Sequence, residues 1–175
     1  ETVFAFDVYT AWMRRCYKKN RVPPNTTWFH PMGVPMMKWI QCIWKELKKI
    51  YKNWTVRFQV FDLYDTSAAA NWVFGYLKTQ TRIRVESGQK TLVCFILLNA
   101  HLLQEEAQVS LRRLIDDSQS KIVWWFCVSH LLQWMEPLRS RAEPLLITLP
   151  SGAVVKHQGE ELTGVRVRVL KQIQF

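Results

Sequence analysis

Residues 92–142 read LVCFILLNAHLLQEEAQVSLRRLIDDSQSKIVWWFCVSHLLQWMEPLRSRA. The run Leu92 to Leu98 is short, apolar, and β-branched or aromatic in part, which marks a buried strand. Leu103, Ala107, Leu111 and Leu114 then recur at helical spacing, with Gln104, Glu105, Gln108 and Arg112 filling the other, polar face. That spacing predicts a helix, closed by Asp116-Asp117-Ser118. Ile122 to Val128 is a second buried strand, followed by a turn at Leu131 to Met135 and by Pro137. Strand, helix and strand in this order form a βαβ unit, so the fold class is α/β, a parallel sheet with helices on both faces.

Upstream, Val8, Trp12 and Cys16, with Met13 beside them, outline the apolar stripe of an amphipathic helix. Its far end is basic, with Arg14, Arg15, Lys18, Lys19 and Arg21 where cations favour the helix dipole. Val22-Pro23-Pro24-Asn25 ends it, and Thr26 to Phe29 reads as a short core strand. The loop His30-Pro31-Met32-Gly33-Val34-Pro35-Met36-Met37 leads into a helix to about Lys52. There Trp39, Ile43, Leu47 and Ile50 alternate with Lys45, Lys48, Lys49 and Lys52. Val56 to Phe61 alternates as a strand does, and Ala68 to Thr79 has helical spacing with Trp72, Val73, Tyr76 and Leu77 inward. Downstream, Leu145 to Leu149 is a strand. Gly164 to Leu170 alternates with period two, which predicts a β-hairpin or paired edge strands, turned near Gln158-Gly159.

The chain has 175 residues, 49% of them hydrophobic, enough for one α/β domain. Its formal net charge of +10 is compatible with an anionic partner and equally with a generally basic surface. Cys16, Cys42, Cys94 and Cys127 are far apart and lack C-x-x-C spacing, so they read as free thiols in a reducing, intracellular compartment. No run reaches transmembrane length, and no membrane partner is expected. Asn25-Thr26-Thr27 and Asn53-Trp54-Thr55 then read as chance sequon matches. The nine tryptophans sit mostly at periodic positions, where core packing explains them better than base stacking.

The order of these parts resembles the AAA+ clamp-loader subunit family, of the replication factor C small-subunit and bacterial delta-prime type. Ala107-Gln108-Val109-Ser110-Leu111-Arg112-Arg113 is similar to that family's "AQ…LRR" helix. Glu136-Pro137-Leu138-Arg139-Ser140-Arg141-Ala142 is similar to its "P-L-x-S-R-C" ending. The resemblance implies an AAA+/P-loop-like core over residues 1–149, with 150–175 a C-terminal β extension in place of the family's helical lid. It places the phosphate loop, G-P-P-G-T-G-K-T in the family, at residues 30–37. There Gly33 is kept, His30 begins the loop, and Met36 and Met37 stand for the lysine and the hydroxyl. Leu98-Asn99-Ala100-His101 stands where the family has Asp-Glu-Ala-Asp, and Ser129 where it has a sensor asparagine.

A working phosphate loop needs a lysine on the outer phosphates and a hydroxyl on magnesium. A methionine supplies neither, Leu98 ligates no metal, and Asn99 is no base. The expectation is therefore a degenerate nucleotide site, no enzyme and no cofactor. The chain would be a pseudo-ATPase of a DNA replication or repair assembly in the nucleus. Its partners would be other protein subunits, ATP-competent AAA+ subunits among them. In the family the arginine after the serine reaches a neighbour's ATP, which falls on Ser140 and Arg141 here; a surface salt bridge is the plain alternative. A structural scaffold in a larger complex or viral particle is the second reading, with Arg166 and Arg168 as an edge-strand partner surface.

Direct nucleic-acid binding is the third reading. The family's DNA-facing helix ends fall on Met37-Lys38 and Gln104-Glu105-Glu106, where two glutamates repel phosphate. Any DNA contact would then use a surface other than the family's. His30, His101, His130 and His157 lack metal-ligand spacing. His30 and His101 would nevertheless meet at the strand ends, either as a satisfied pair or as a metal site.

Overall fold

The computed structural model describes residues 3–32, 34–64, 90–118, 122–148 and 166–169. The strands are β1 (Val3–Phe4), β2 (Thr26–Phe29), β3 (Thr55–Asp62), β4 (Thr91–Leu98), β5 (Ile122–Val128), β6 (Glu143–Thr148) and β7 (Arg166–Val169). The helices are α1 (Ala5–Lys18), α2 (Met36–Ile50), α3 (Glu105–Asp117) and the short α4 (Glu136–Arg139). Among the described residues one sheet holds these strands in the order β1-β7-β6-β2-β5-β4-β3. The pairs β6·β2, β2·β5, β5·β4 and β4·β3 are parallel, and β7 joins β6 and β1 antiparallel.

The βαβ reading of residues 92–128 holds, since β4 and β5 are parallel neighbours with Ile96 opposite Trp125. Every residue of β5 is buried, because a central parallel strand has helices over both of its faces. Alternate side chains therefore feed two cores. Trp125 and Cys127 join Trp28, Ile96, Trp39 and Ile43 beneath α1 and α2. Trp124, Phe126 and Val128 join Phe95, Leu111, Ile115 and Trp134 beneath α3 and α4. Five tryptophans, Trp28, Trp39, Trp124, Trp125 and Trp134, are wholly buried, and Trp12, Trp44 and Trp54 partly so. Trp72 lies outside the described residues, as do Gly33, the helix expected at 68–79 and the turn near Gln158-Gly159.

Two expectations are corrected. The buried stripe of α1 centres on Tyr9 and Met13, both fully buried, with Val8, Trp12 and Cys16 on its flanks. Tyr9 goes inward because its ring packs edge-on against Trp28 at 5.2 Å and Trp125 at 5.6 Å, and its hydroxyl accepts the Trp125 Nε1–H at 2.6 Å. The C-terminal strand does pair with β6 as a hairpin partner. It is not an edge, however: β1 pairs along its outer side, with Phe4 opposite Arg166 and Val3 opposite Val167. β1 thus covers Arg166 and Val167 of the strand expected to offer a docking edge, and β1 is itself the outermost strand of the described sheet.

Candidate functional site

The carboxyl ends of β2, β4 and β5 open into a cleft of about 490 Å³. Open parallel sheets place ligands there, where the connection leaving a strand turns to cover one face or the other. β2 delivers His30, β3 Asp62, β4 Leu98 and Asn99 with the following turn's His101, and β5 Ser129 and His130. The resemblance-derived positions His30, Met36, Met37, Leu98, Asn99 and Ser129 thus come together around one hollow.

The loop before α2 turns its amides inward. Val34 N–H donates to Pro31 O at 3.5 Å and Met36 N–H to Val34 O at 2.8 Å, while Pro35 has no N–H. Lys38 and Trp39 N–H donate to Pro35 O at 3.0 and 3.3 Å. α2 has no side-chain cap at Pro35. The Met36 side chain is buried against Trp39 and Ile40 in the core, and Met37 is partly exposed.

Across the cleft, Asn99 takes a left-handed conformation, φ 54° and ψ 41°, which asparagine tolerates better than most residues. Its Nδ2–H donates to Asp62 Oδ1 at 2.9 Å, and Tyr64 N–H donates to the same oxygen at 3.0 Å. Beside them lies a histidine chain. Ser129 N–H donates to His101 Nδ1 at 3.3 Å, which places the ring's proton on Nε2, 3.1 Å from His130 Nδ1. Ser129 Oγ lies 2.9 Å from that same His130 nitrogen. Burial, with His130 and His30 nearby, lowers the His101 pKa to about 4. Burial also lowers the His30 pKa, and the His30 Nε2 is buried without a hydrogen-bond partner. Burial thus favours the neutral form of His101 and His30 on the floor of the cleft. Among the described residues no three His, Cys, Asp or Glu side chains stand close enough to enclose a metal ion.

The mouth of the cleft is apolar. Met32 is 74% exposed and Tyr64 73%, with Met37 and Leu102 also open. Exposed side chains of this size gathered around one cleft from three separate segments form a patch, unlike scattered surface leucines.

Ser140 and Arg141 lie away from the cleft, at the opposite end of the sheet, just before β6. Arg141 Nε and Nη2 donate to Asp116 Oδ1 and Oδ2 at 2.7 and 3.1 Å, and Nη1 donates to Pro137 O at 2.7 Å. The guanidinium holds the Asp116 carboxyl below the usual carboxylate range. Asp116, read as a helix terminator, is thus also a bidentate ion-pair partner. Ser140 Oγ–H donates to Pro137 O at 3.1 Å. The sequence reading missed His130 and Asp62 as cleft residues; their only signal is that each ends, or directly follows, a predicted strand.

No family model and no curated protein matches this sequence. Solved structures do match its fold. The ORC1 protein of Aeropyrum pernix, solved in complex with DNA, aligns with a TM-score of 0.58 at 12% identity, over 82% of this chain and 45% of that one. A RuvB variant of Thermotoga maritima aligns with a TM-score of 0.55 at 14% identity, over 80% and 42%. A DNA polymerase III gamma subunit-related protein, also of Thermotoga maritima, gives 0.50 at 9% identity, over 82% and 47%. The chain has an AAA+/P-loop-like α/β fold, and it spans less than half the length of these structures.

Proposed function

We propose that the chain is a non-hydrolysing AAA+-type module of clamp-loader character that acts by binding other proteins in a DNA replication or repair assembly. The observation that carries this reading is the loop before α2. The amides that would have to point at phosphates are absent at Pro35 or bonded within the loop at Val34 and Met36. The positions that would supply the lysine and the magnesium hydroxyl are Met36, packed in the core, and Met37. Magnesium nucleotide does not fit these residues.

Each missing charge-assisted contact removes about 1.5–3 kcal/mol. Calorimetry with Mg-ATP and Mg-ADP should give no binding at micromolar concentrations, and a heat signal abolished by EDTA overturns the reading. The apolar rim at Met32, Met37, Tyr64 and Leu102 supports protein binding as the use to which the cleft is put, since methionine adapts to varied partners. Purifying the native complex and identifying its members is the direct test. Recovery with ATP-competent AAA+ subunits or a sliding clamp supports the loader assignment, and recovery with coat or scaffold proteins supports the structural one. Offering Arg141 to a neighbour's nucleotide belongs to the first reading and requires the Asp116 pair to open.

A further inference from the structure

The fold joins two basic runs that the sequence keeps apart. α1 and α2 pack side by side, and both end at the amino ends of the strands, opposite the cleft. Tyr51, just past α2, donates its hydroxyl to Arg21 O at 2.8 Å, and its ring meets Tyr17 of α1 at 5.2 Å. Asn53 Nδ2–H donates to Tyr17 Oη at 3.3 Å. Lys90, leading into β4, bonds Asn20 and lies 5.7 Å over the Trp54 ring. These contacts bring the ends of α1 and α2 together, so that Arg15, Lys18, Lys19, Arg21, Lys49, Lys52 and Lys90 share this end, with Lys48 also exposed and its ammonium 5.8 Å over the Trp44 and Phe58 rings. Among the described residues the carboxylates on this face of the sheet are Glu46, paired with Lys49 at 2.8 Å, and Glu143, which shares a hollow with Arg15 and Arg21, while Asp116 and Asp117 end α3 on the sheet's other face, Asp116 held by Arg141 at 2.7 Å.

We propose that this end of the molecule binds the sugar-phosphate backbone of nucleic acid without reading base sequence. Basic residues at a single helix C-terminus are ordinary, because they complement the dipole. Two helix ends and a strand start brought together with two carboxylates between them make an electrostatic footprint. Nucleic acid fits it better than an acidic protein does. Protein interfaces are anchored by buried apolar or aromatic residues, and none of the exposed large hydrophobic side chains described lies on this face. Tyr17, Tyr51 and Trp54 are engaged with one another, so bases find no open stacking platform. The assignment is independent of what the cleft does.

The test is anisotropy of a labelled 20-base-pair DNA duplex with the full chain across a sodium chloride series. Four to six phosphate contacts give a slope of log affinity against log salt of about −4 to −5. Lys48→Glu/Lys49→Glu/Lys52→Glu should weaken binding at least tenfold and flatten the slope by about 3. Lys18→Glu/Lys19→Glu should do the same from α1, flattening it by about 2. Arg112→Glu/Arg113→Glu, exposed on α3 across the sheet, is the control and should change neither. All substituted side chains are exposed, and circular dichroism confirms folding. Absent binding at low salt, unchanged slopes in both reversal variants, equal loss in the control, or tighter binding of a polyglutamate peptide than of the duplex overturns the assignment.

Discussion

His101 shows how one residue ties the cleft's chemistry to stability. Its ring is buried at 5% exposure but borders an open cleft, and its pKa falls from 6.5 to about 4. The folded state therefore keeps the ring neutral where the unfolded chain protonates it. That stability is fully present above about pH 6.5 and is lost as pH falls toward 4, because the unfolded state takes up the proton first. With solvent screening at the cleft, the loss between pH 7 and pH 5 should be about 1–2 kcal/mol. His101→Gln should flatten the pH dependence of the urea midpoint over that window. A variant with the same slope as the parent excludes His101 as its source. The sequence showed His30 and His101 at strand ends, yet not His130. Residues 101 and 130 come within 3.1 Å only because β4 and β5 are parallel neighbours with a helix between them, and linear spacing carries no trace of that.

At the scale of elements, the residues that made the sequence resemble a clamp loader turn out to hold elements together. Gln108 is a buried polar clasp between α3 and the turns after β4 and β5. Its Nε2–H groups donate to Leu103 O at 2.9 Å and Gln133 O at 2.7 Å, and its Oε1 accepts Met135 N–H at 2.9 Å. Gln108→Met keeps the volume but strands two carbonyls and one amide, and should cost about 2–3 kcal/mol by urea denaturation. A loss below about 0.5 kcal/mol would mean that water replaces the clasp. The helix was legible from its leucines, but Gln108 was assigned to the polar face because periodicity cannot reveal a turn folding over it. The same limit applies to α1. Tyr9 reads as polar in a pattern of apolar spacing, yet Trp125, 116 positions away, gives its hydroxyl a partner. Strand content was the most legible level, since central parallel strands must be apolar on both faces.

For the whole molecule, the sheet separates two surfaces. The apolar cleft rim lies at the carboxyl ends of the strands and the basic face at their amino ends, with seven or eight strand residues between them, about 23–26 Å. Sites that far apart with no shared side chains should act additively. The core between them is close-packed, with Trp28, Trp39 and Trp125 meeting edge to face, so each surface sits on a rigid support. Met32→Glu at the rim should reduce recovery of protein partners at least tenfold while leaving the DNA salt slope unchanged. Lys48→Glu/Lys49→Glu/Lys52→Glu should do the reverse. In the combined variant both losses should equal those of the separate ones, because neither substitution reaches the other's neighbours. If the combined variant loses much more partner than Met32→Glu alone, or if Met32→Glu weakens DNA binding, the two surfaces are coupled. The picture of one fold carrying two separate contacts, protein at the cleft and nucleic acid at the opposite end, would then be wrong.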